Sequence, residues 1–304
     1  MKKKLFLASL FVLIGMFFSE KSFAQQVITE TTFDSASTYI LKLRDESQLV
    51  GKYLGRDSLN VIIKTASMPR VEVPISNVVS VSKVEAENFR HGKYWFPNPN
   101  ATRYLFSPSA FCLKEGEGYY QNTYLFLNSF NVGLSDHVTI GGGLEFISTF
   151  ASIISGEGGP IFYVTPKVGF EVAPKVNLGA GLLYVSIPDF GEDYGRSGGG
   201  IFYGLSTFGN TNSNLTTGLG WGYFKGDVGS SPFITISGMT RISRKTALVT
   251  ENWLIPSGSF YAVYSYGFRF FGEKLAVDLA FINNRDIASG LLIGLPYVDF
   301  VVKF

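Results

Sequence analysis

His91 and His137 are the only imidazoles in the chain, so a hydrolytic centre built on a histidine base must use one of them. His91 stands in a Pro- and Asn-rich stretch and His137 in a short polar turn, where a surface role accounts for both. Gly195-Arg196-Ser197-Gly198-Gly199 spells a nucleophile elbow by letter. That motif needs a strand before it and a helix after it. Here an acidic, glycine-rich loop precedes it and the strand-like Ile201-Phe202-Tyr203 follows. Gly218-Leu219-Gly220-Trp221-Gly222 likewise alternates as a strand, with no helix to complete a nucleotide loop. Asp189, Glu192 and Asp193 are the candidate metal ligands, since clustered carboxylate oxygens suit Ca²⁺. A solvated loop, or cations bridging lipopolysaccharide without a specific role, is the simpler account of them. Glu115 and Glu117 make a similar pair in what reads as the first outer loop. Cys112 is the single cysteine, which removes an intrachain disulfide and a Cys-based zinc site. No catalytic constellation emerges, the chain reads as non-enzymatic, and no cofactor is implied.

The remaining charges are more informative because of where they fall. Leu275, Val277, Leu279 and Phe281 alternate with Ala276, Asp278 and Ala280. Phe162, Val164, Val168 and Phe170 oppose Lys167 and Glu171, and Phe260, Tyr264, Tyr266, Phe268 and Phe270 oppose Ser265, Gly267 and Arg269. A period of two gives a strand one apolar and one polar face. Arg or Lys on a lipid face costs about 2–4 kcal/mol at the midplane. The charged set therefore faces a lumen or an interface: Glu145, Lys167, Glu171, Arg269, Asp278 and Lys303 are the lumen candidates, with Glu251 and Asp299 on the same side. Such charges either line a narrow path for small solutes or pair into a plug, and their mixed signs favour pairing.

Twelve strands are expected, at roughly 103–112, 119–132, 138–148, 160–172, 176–187, 200–209, 214–224, 232–241, 245–254, 259–270, 274–284 and 292–304. Most reach the ~9–11 residues a tilted membrane strand needs. Short links near 133–137, 173–175, 210–213, 242–244 and 271–273 alternate with longer, Gly- and Ser-rich ones. Periplasmic turns and extracellular loops produce that alternation. With an even strand count both barrel ends fall on the short-turn side. The strands expected at 119–132 and 245–254 do not alternate cleanly, and their faces stay open.

Both termini point to the same compartment. Lys2–Lys4, the apolar Leu5–Phe18 and Ser22-Phe23-Ala24 have the layout of a signal peptide over residues 1–24. Val298, Phe300, Val302 and Phe304 alternate to a terminal aromatic, which resembles the assembly signal of bacterial outer-membrane barrels and implies the barrel assembly machinery as a partner. Taking away four lysines and one glutamate with the leader leaves 22 basic and 23 acidic residues, a balance that suggests no nucleic acid.

Residues 25–90 differ in texture. Short β-rich runs (40–43, 48–54, 59–65, 71–73 and 78–81) between polar turns predict a small SH3-like or Sm-like barrel, with Val61, Ile63, Val71, Val73, Val79 and Val81 in its core. A periplasmic position follows from the strand count, with a periplasmic protein or peptidoglycan as a possible partner. Residues 91–102 read as a linker, and Tyr94, Trp95 and Phe96 suit either a membrane interface or local packing. The run Phe96–Asn122, through Asn98-Pro99-Asn100-Ala101-Thr102-Arg103-Tyr104 and Gly116-Glu117-Gly118-Tyr119-Tyr120-Gln121-Asn122, resembles the opening of a family of outer-membrane β-barrel proteins from Bacteroidota. The resemblance implies an outer-membrane barrel in contact with lipid and lipopolysaccharide, and supplies no catalytic residues. The sequence thus predicts an all-β protein: a twelve-stranded antiparallel transmembrane barrel over 103–304 behind a small β domain. The rival readings are an outer-membrane hydrolase and a soluble, secreted β-rich binding protein whose apolar faces pack into a two-sheet core.

Overall fold

The computed structural model describes residues 33–35, 37–84, 88–90, 93–155, 159–188, 196–257 and 259–304. The leader, His91, the acidic cluster Asp189/Glu192/Asp193 and Gly195 lie outside the described residues. Two units divide between Trp95 and Phe96.

In the first unit, β1 (Thr38–Leu43), β2 (Gln48–Arg56), β3 (Asn60–Lys64), β4 (Val71–Pro74) and β5 (Val78–Lys83) form one sheet in the order β4-β3-β2-β1-β5. Leu41, Val61, Ile63 and Val73 are its buried core, with Val71 and Val81 packed against them. Val79 points outward instead. Asp57 shapes the β2–β3 turn by accepting from the Leu59 and Asn60 amides, both at 2.7 Å, an arrangement Asp favours because its short carboxylate reaches its own backbone. A two-residue pair, β6 (Phe89–Arg90) and β7 (Lys93–Tyr94), follows.

The second unit is a closed antiparallel barrel. Its staves are β8 (Gly118–Thr123), β9 (Leu127–Ser135), β10 (Val138–Glu145), the interrupted pair β11 (Ile161–Val164) and β12 (Lys167–Ala173), β13 (Val176–Pro188), β14 (Arg196–Asn210), β15 (Ser213–Phe224), β17 (Phe233–Ser243), β18 (Thr246–Ser257), β19 (Ser259–Phe271), β20 (Leu275–Asn283) and β21 (Leu295–Lys303). The short β16 (Asp227–Val228) folds back on β15, and β21 closes the ring by pairing with β8, Lys303 opposite Tyr119. β11 and β12 count as one stave: both pair with β10 and β13, and Pro166, which has no N–H to give a ladder, sits in the break. Twelve staves result.

Two expected strands are placed differently. Residues 103–112 are not a stave, and the expected strand 119–132 is the hairpin β8–β9. Its link, Tyr124-Leu125-Phe126, carries left-handed φ values of 55° and 69° at Tyr124 and Leu125. Bulky residues rarely adopt that region, and no Gly, Asn or Pro announces the turn.

The outward faces follow the expected period. Phe268, Phe270, Leu275, Leu279 and Val302 are exposed, while Lys167, Arg241, Glu251, Arg269, Asp278 and Asp299 are at most 6% exposed. Apolar side chains therefore cover the outside, and a two-sheet soluble core is not what this chain builds. Among the described residues no helix is long and apolar enough to cross a membrane. β18, whose faces the sequence left open, turns Ala247, Val249 and Glu251 inward and Leu248 outward.

The links at one end, residues 136–137, 174–175, 211–212, 244–245 and 272–274, have two or three residues each. The other end carries the longer links, including helices α1 (Phe146–Ser155) and α2 (Arg285–Gly290), together with the tight links after β8 and β18. Glu115 and Glu117, expected in an outer loop, precede β8 and so lie at the short-link end.

A lumen occupied by the chain before the first barrel strand

Residues 96–113, whose first half reads as a linker in sequence, run inside the barrel. Phe96 enters at the short-link end, with the Arg241 and Arg244 guanidiniums 4.9 and 5.6 Å from its ring. The Asn98 amide donates to the Thr211 carbonyl at 2.8 Å. The chain rises to a tip at residues 104–107 and returns, with Ser109 N–H donating to Thr102 O at 3.0 Å and Tyr104 N–H to Ser107 O at 2.8 Å. Leu113 N–H then meets the Thr139 hydroxyl at 2.9 Å, back near the short links. Asn98, Asn100, Thr102, Arg103, Tyr104 and Leu105 are all buried.

A buried loop must find partners for its backbone groups, and the inward charges supply them. The Glu251 carboxylate accepts from the consecutive amides of Leu105, Phe106 and Ser107 at 2.9, 2.9 and 2.8 Å, and from Trp253 Nε1 at 2.8 Å. Lys167 Nζ donates to the carbonyls of Thr102, Ser109 and Phe111 at 2.9, 2.9 and 2.6 Å. Arg269 forks onto both oxygens of Asp278 at 2.6 and 2.8 Å and reaches the carbonyls of Arg103 and Tyr104. Arg103, on the plug itself, pairs with Asp299 at 2.9 Å, while Asp299 also accepts from Gln121 and Thr123. Tyr104 Oη is 2.6 Å from Thr216 Oγ1.

Inward glycines let the plug come close. A Cβ at Gly169 would stand 2.1 Å from Ala110 O, and one at Gly133 would stand 2.2 Å from Lys114 O. Both glycines are there for space, since a methyl group would occupy the plug's backbone.

Of the lumen candidates, the structure brings Lys167, Arg269 and Asp278 into this network. Lys303 sits at the short-link mouth, 2.8 Å from Glu117. Glu171 is exposed near the β12–β13 turn and accepts from Lys175 N–H at 3.2 Å, so it is no part of the deep lumen. Glu145 lies at the opposite rim and caps α1 by accepting from Ile147 and Ser148 N–H. Arg103, Tyr104 and Arg241 are participants that sequence reasoning missed. Pro108, inside the expected strand 103–112, was the available signal against a strand there.

Above the plug lies a cavity of about 390 Å³. Arg103, Lys167, Gln121 and Asn131 belong to its polar floor, and Leu183, Val185, Ile201 and Trp253 to its upper wall. His137 stacks on Phe170 at 4.8 Å with Nδ1 3.2 Å from Gly169 O, at the short-link end and away from this cavity. Ser197 lies on β14, paired with Ile187, so the elbow-like letters belong to a barrel stave. Among the described residues no three His, Cys, Asp or Glu side chains are grouped to hold a metal.

Strand order, closure and outward apolar faces define an outer-membrane-type β-barrel. No protein-family model matches the chain, and no curated protein does. Solved structures similar to it include two of an outer membrane protein. A loop-L8 deletion mutant of OmpT, an outer membrane protein of Vibrio cholerae, shares 10% identity over 88% of this chain and 96% of that chain, with a TM-score of 0.32. Outer-membrane expressed OmpT of Vibrio cholerae shares 12% identity over 88% and 93%, also with a TM-score of 0.32.

Proposed function

We propose that this chain is a non-enzymatic barrel of the bacterial outer membrane, closed to solute flow, that presents a cup toward the cell exterior. The observation behind this is the plug: residues 96–113 fill the lumen's short-link half, and the charges that would otherwise line a path hold that segment instead. Short links face the periplasm in such barrels. Entry of Phe96 at that end supports a periplasmic position for residues 25–90, with a periplasmic protein or peptidoglycan as their partner. Membership of the Bacteroidota barrel family fits the same picture, because the residues carrying that resemblance are the plug and the first stave.

The test is planar-bilayer conductance of the refolded mature protein. Stable insertion, shown by heat-modifiable migration, without current steps is the expected result. Reproducible steps from the unmodified protein refute the closed barrel. A hydrolase is the weaker reading, since the described His137 ring contacts a carbonyl and a phenyl ring and lies away from the cup.

A further inference from the structure

The cup's floor is built differently from the rest of the network. Lys167 takes three plug carbonyls, and among the described residues no carboxylate pairs with it. Arg103 is 8% exposed, yet its Nη1 donates to nothing among the described residues; the bonds to Asp299, Tyr297 and Leu105 all use Nη2. Both side chains line the cavity. A guanidinium nitrogen open to the cavity with no partner among the described residues can donate to an anion, and the Lys167 ammonium beside it, its three N–H groups already on plug carbonyls, adds a positive charge without a counter-ion. The wall above is apolar. β13 runs from Gly181, opposite Lys167, to Val185, roughly 14 Å at ~3.4 Å per residue, and Leu183, Val185 and Ile201 line that stretch. At the rim, α1 starts next to Glu145 and leaves Phe150, Ile153 and Ile154 exposed. Glu145, the carboxylate on the cavity wall, is engaged by the α1 amides.

We propose that the cup binds a single-chain amphiphile with an anionic head, its head on Arg103 Nη1 within the field of the Lys167 charge and its tail along Leu183, Val185 and Ile201. The site rests on the closed-barrel reading, because only a fixed plug supplies that floor. The volume falls in the range of small-molecule sites, and an apolar wall with a few convergent polar groups is their usual composition.

Trp253 is the reporter. Replacing Trp95 and Trp221 with Phe leaves it as the one indole. The mature chain carrying both changes, refolded into phosphatidylcholine vesicles, is titrated with ω-bromoundecanoate and, separately, with ω-bromoundecyl-trimethylammonium. Saturable quenching by the anion but not by the cation is expected. Val185→Phe, which fills the tail path and touches no plug contact, should weaken the anion at least tenfold. Arg103→Lys, which keeps a charge for Asp299 and removes Nη1, should weaken it severalfold. Quenching that rises linearly with membrane-bound probe, alike for both charges and indifferent to Val185→Phe, overturns the site. Conductance on the same preparation separates the two ideas: a silent barrel without saturable quenching sinks the ligand alone, and a conducting one sinks the closed barrel.

Discussion

Glu251→Leu is the sharpest test of how the plug is held. One carboxylate, 1% exposed, satisfies three consecutive amides at the plug's tip and the Trp253 indole. Leucine keeps the bulk and offers no acceptor, so four donors lose their partner. Leaving a buried donor unpaired costs about 1–3 kcal/mol each. The lower end applies, because the tip adjoins the cavity and water can reach part of it, which gives roughly 4 kcal/mol for the set. Glu251→Gln keeps one acceptor oxygen but surrenders the charge, and turns an N–H toward one of the donors. Hydrogen bonds to charged groups are worth about 1.5–3 kcal/mol, so the loss is roughly 2 kcal/mol. Urea unfolding of the refolded barrel in vesicles, followed by tryptophan fluorescence, should rank the midpoints wild type, then Gln, then Leu. The same proteins in planar bilayers should be silent, nearly silent and intermittently conducting, as the freed tip leaves the lumen. If Glu251→Leu unfolds at the wild-type midpoint and stays silent, the carboxylate does not anchor the plug and the sealing argument fails with it.

Asp278→Asn, which strips the Arg269 fork of its counter-charge, is expected to cost about 3–5 kcal/mol, and the double change Arg269→Met/Asp278→Leu should recover only part of it, because the plug carbonyls of Asn100, Arg103 and Tyr104 lose the guanidinium. Urea midpoints of the single and double variants measure this. Gly169→Val places a side chain where Ala110 O now sits, and overpacking of that kind costs about 1–3 kcal/mol; a wild-type midpoint and zero conductance would mean that the plug yields freely. Orientation is checked by labelling with a membrane-impermeant maleimide in a Cys112→Ser background: Ile154→Cys on α1 should react on intact cells, and Lys245→Cys on a short link only after the outer membrane is opened. In the first unit, the Leu59 amide first and the Asn60 amide second hold the Asp57 carboxyl below its ordinary value. A depressed folded value means stability present above the unfolded pKa and lost as pH falls through the folded one. Exchange of the Asn60 amide in the full chain should therefore quicken in Asp57→Ala at neutral pH, with the difference from wild type vanishing in strong acid.

Legibility in this sequence tracks what each side chain meets. Where lipid lies on one side and the lumen on the other, period two is enforced by the cost of a misplaced charge, and β20, β21 and β19 from Tyr264 onward alternate as the sequence predicts. The count of twelve was legible for the same reason, although two of its members were mislocated in compensating ways. The Tyr124–Phe126 link is apolar even though Leu125 is 74% exposed, so polarity gave no break there. Arg103–Cys112 resembles a strand in composition because it is half apolar, although it turns back on itself at residues 104–107. It packs against the inner walls of β12 and β13, where Gly169 and Gly179 leave room for Ala110, and β18 turns the apolar Ala247 and Val249 into the same interior. Those residues blurred the alternation of β18 when lipid and water were taken as the only two environments. A plug is a third environment, apolar in places and rich in carbonyls and amides. The small inward residues are a sequence signal for it: a water-filled lumen gives no reason for glycine at 133, 169 and 179, while a backbone passing within van der Waals reach of the wall does.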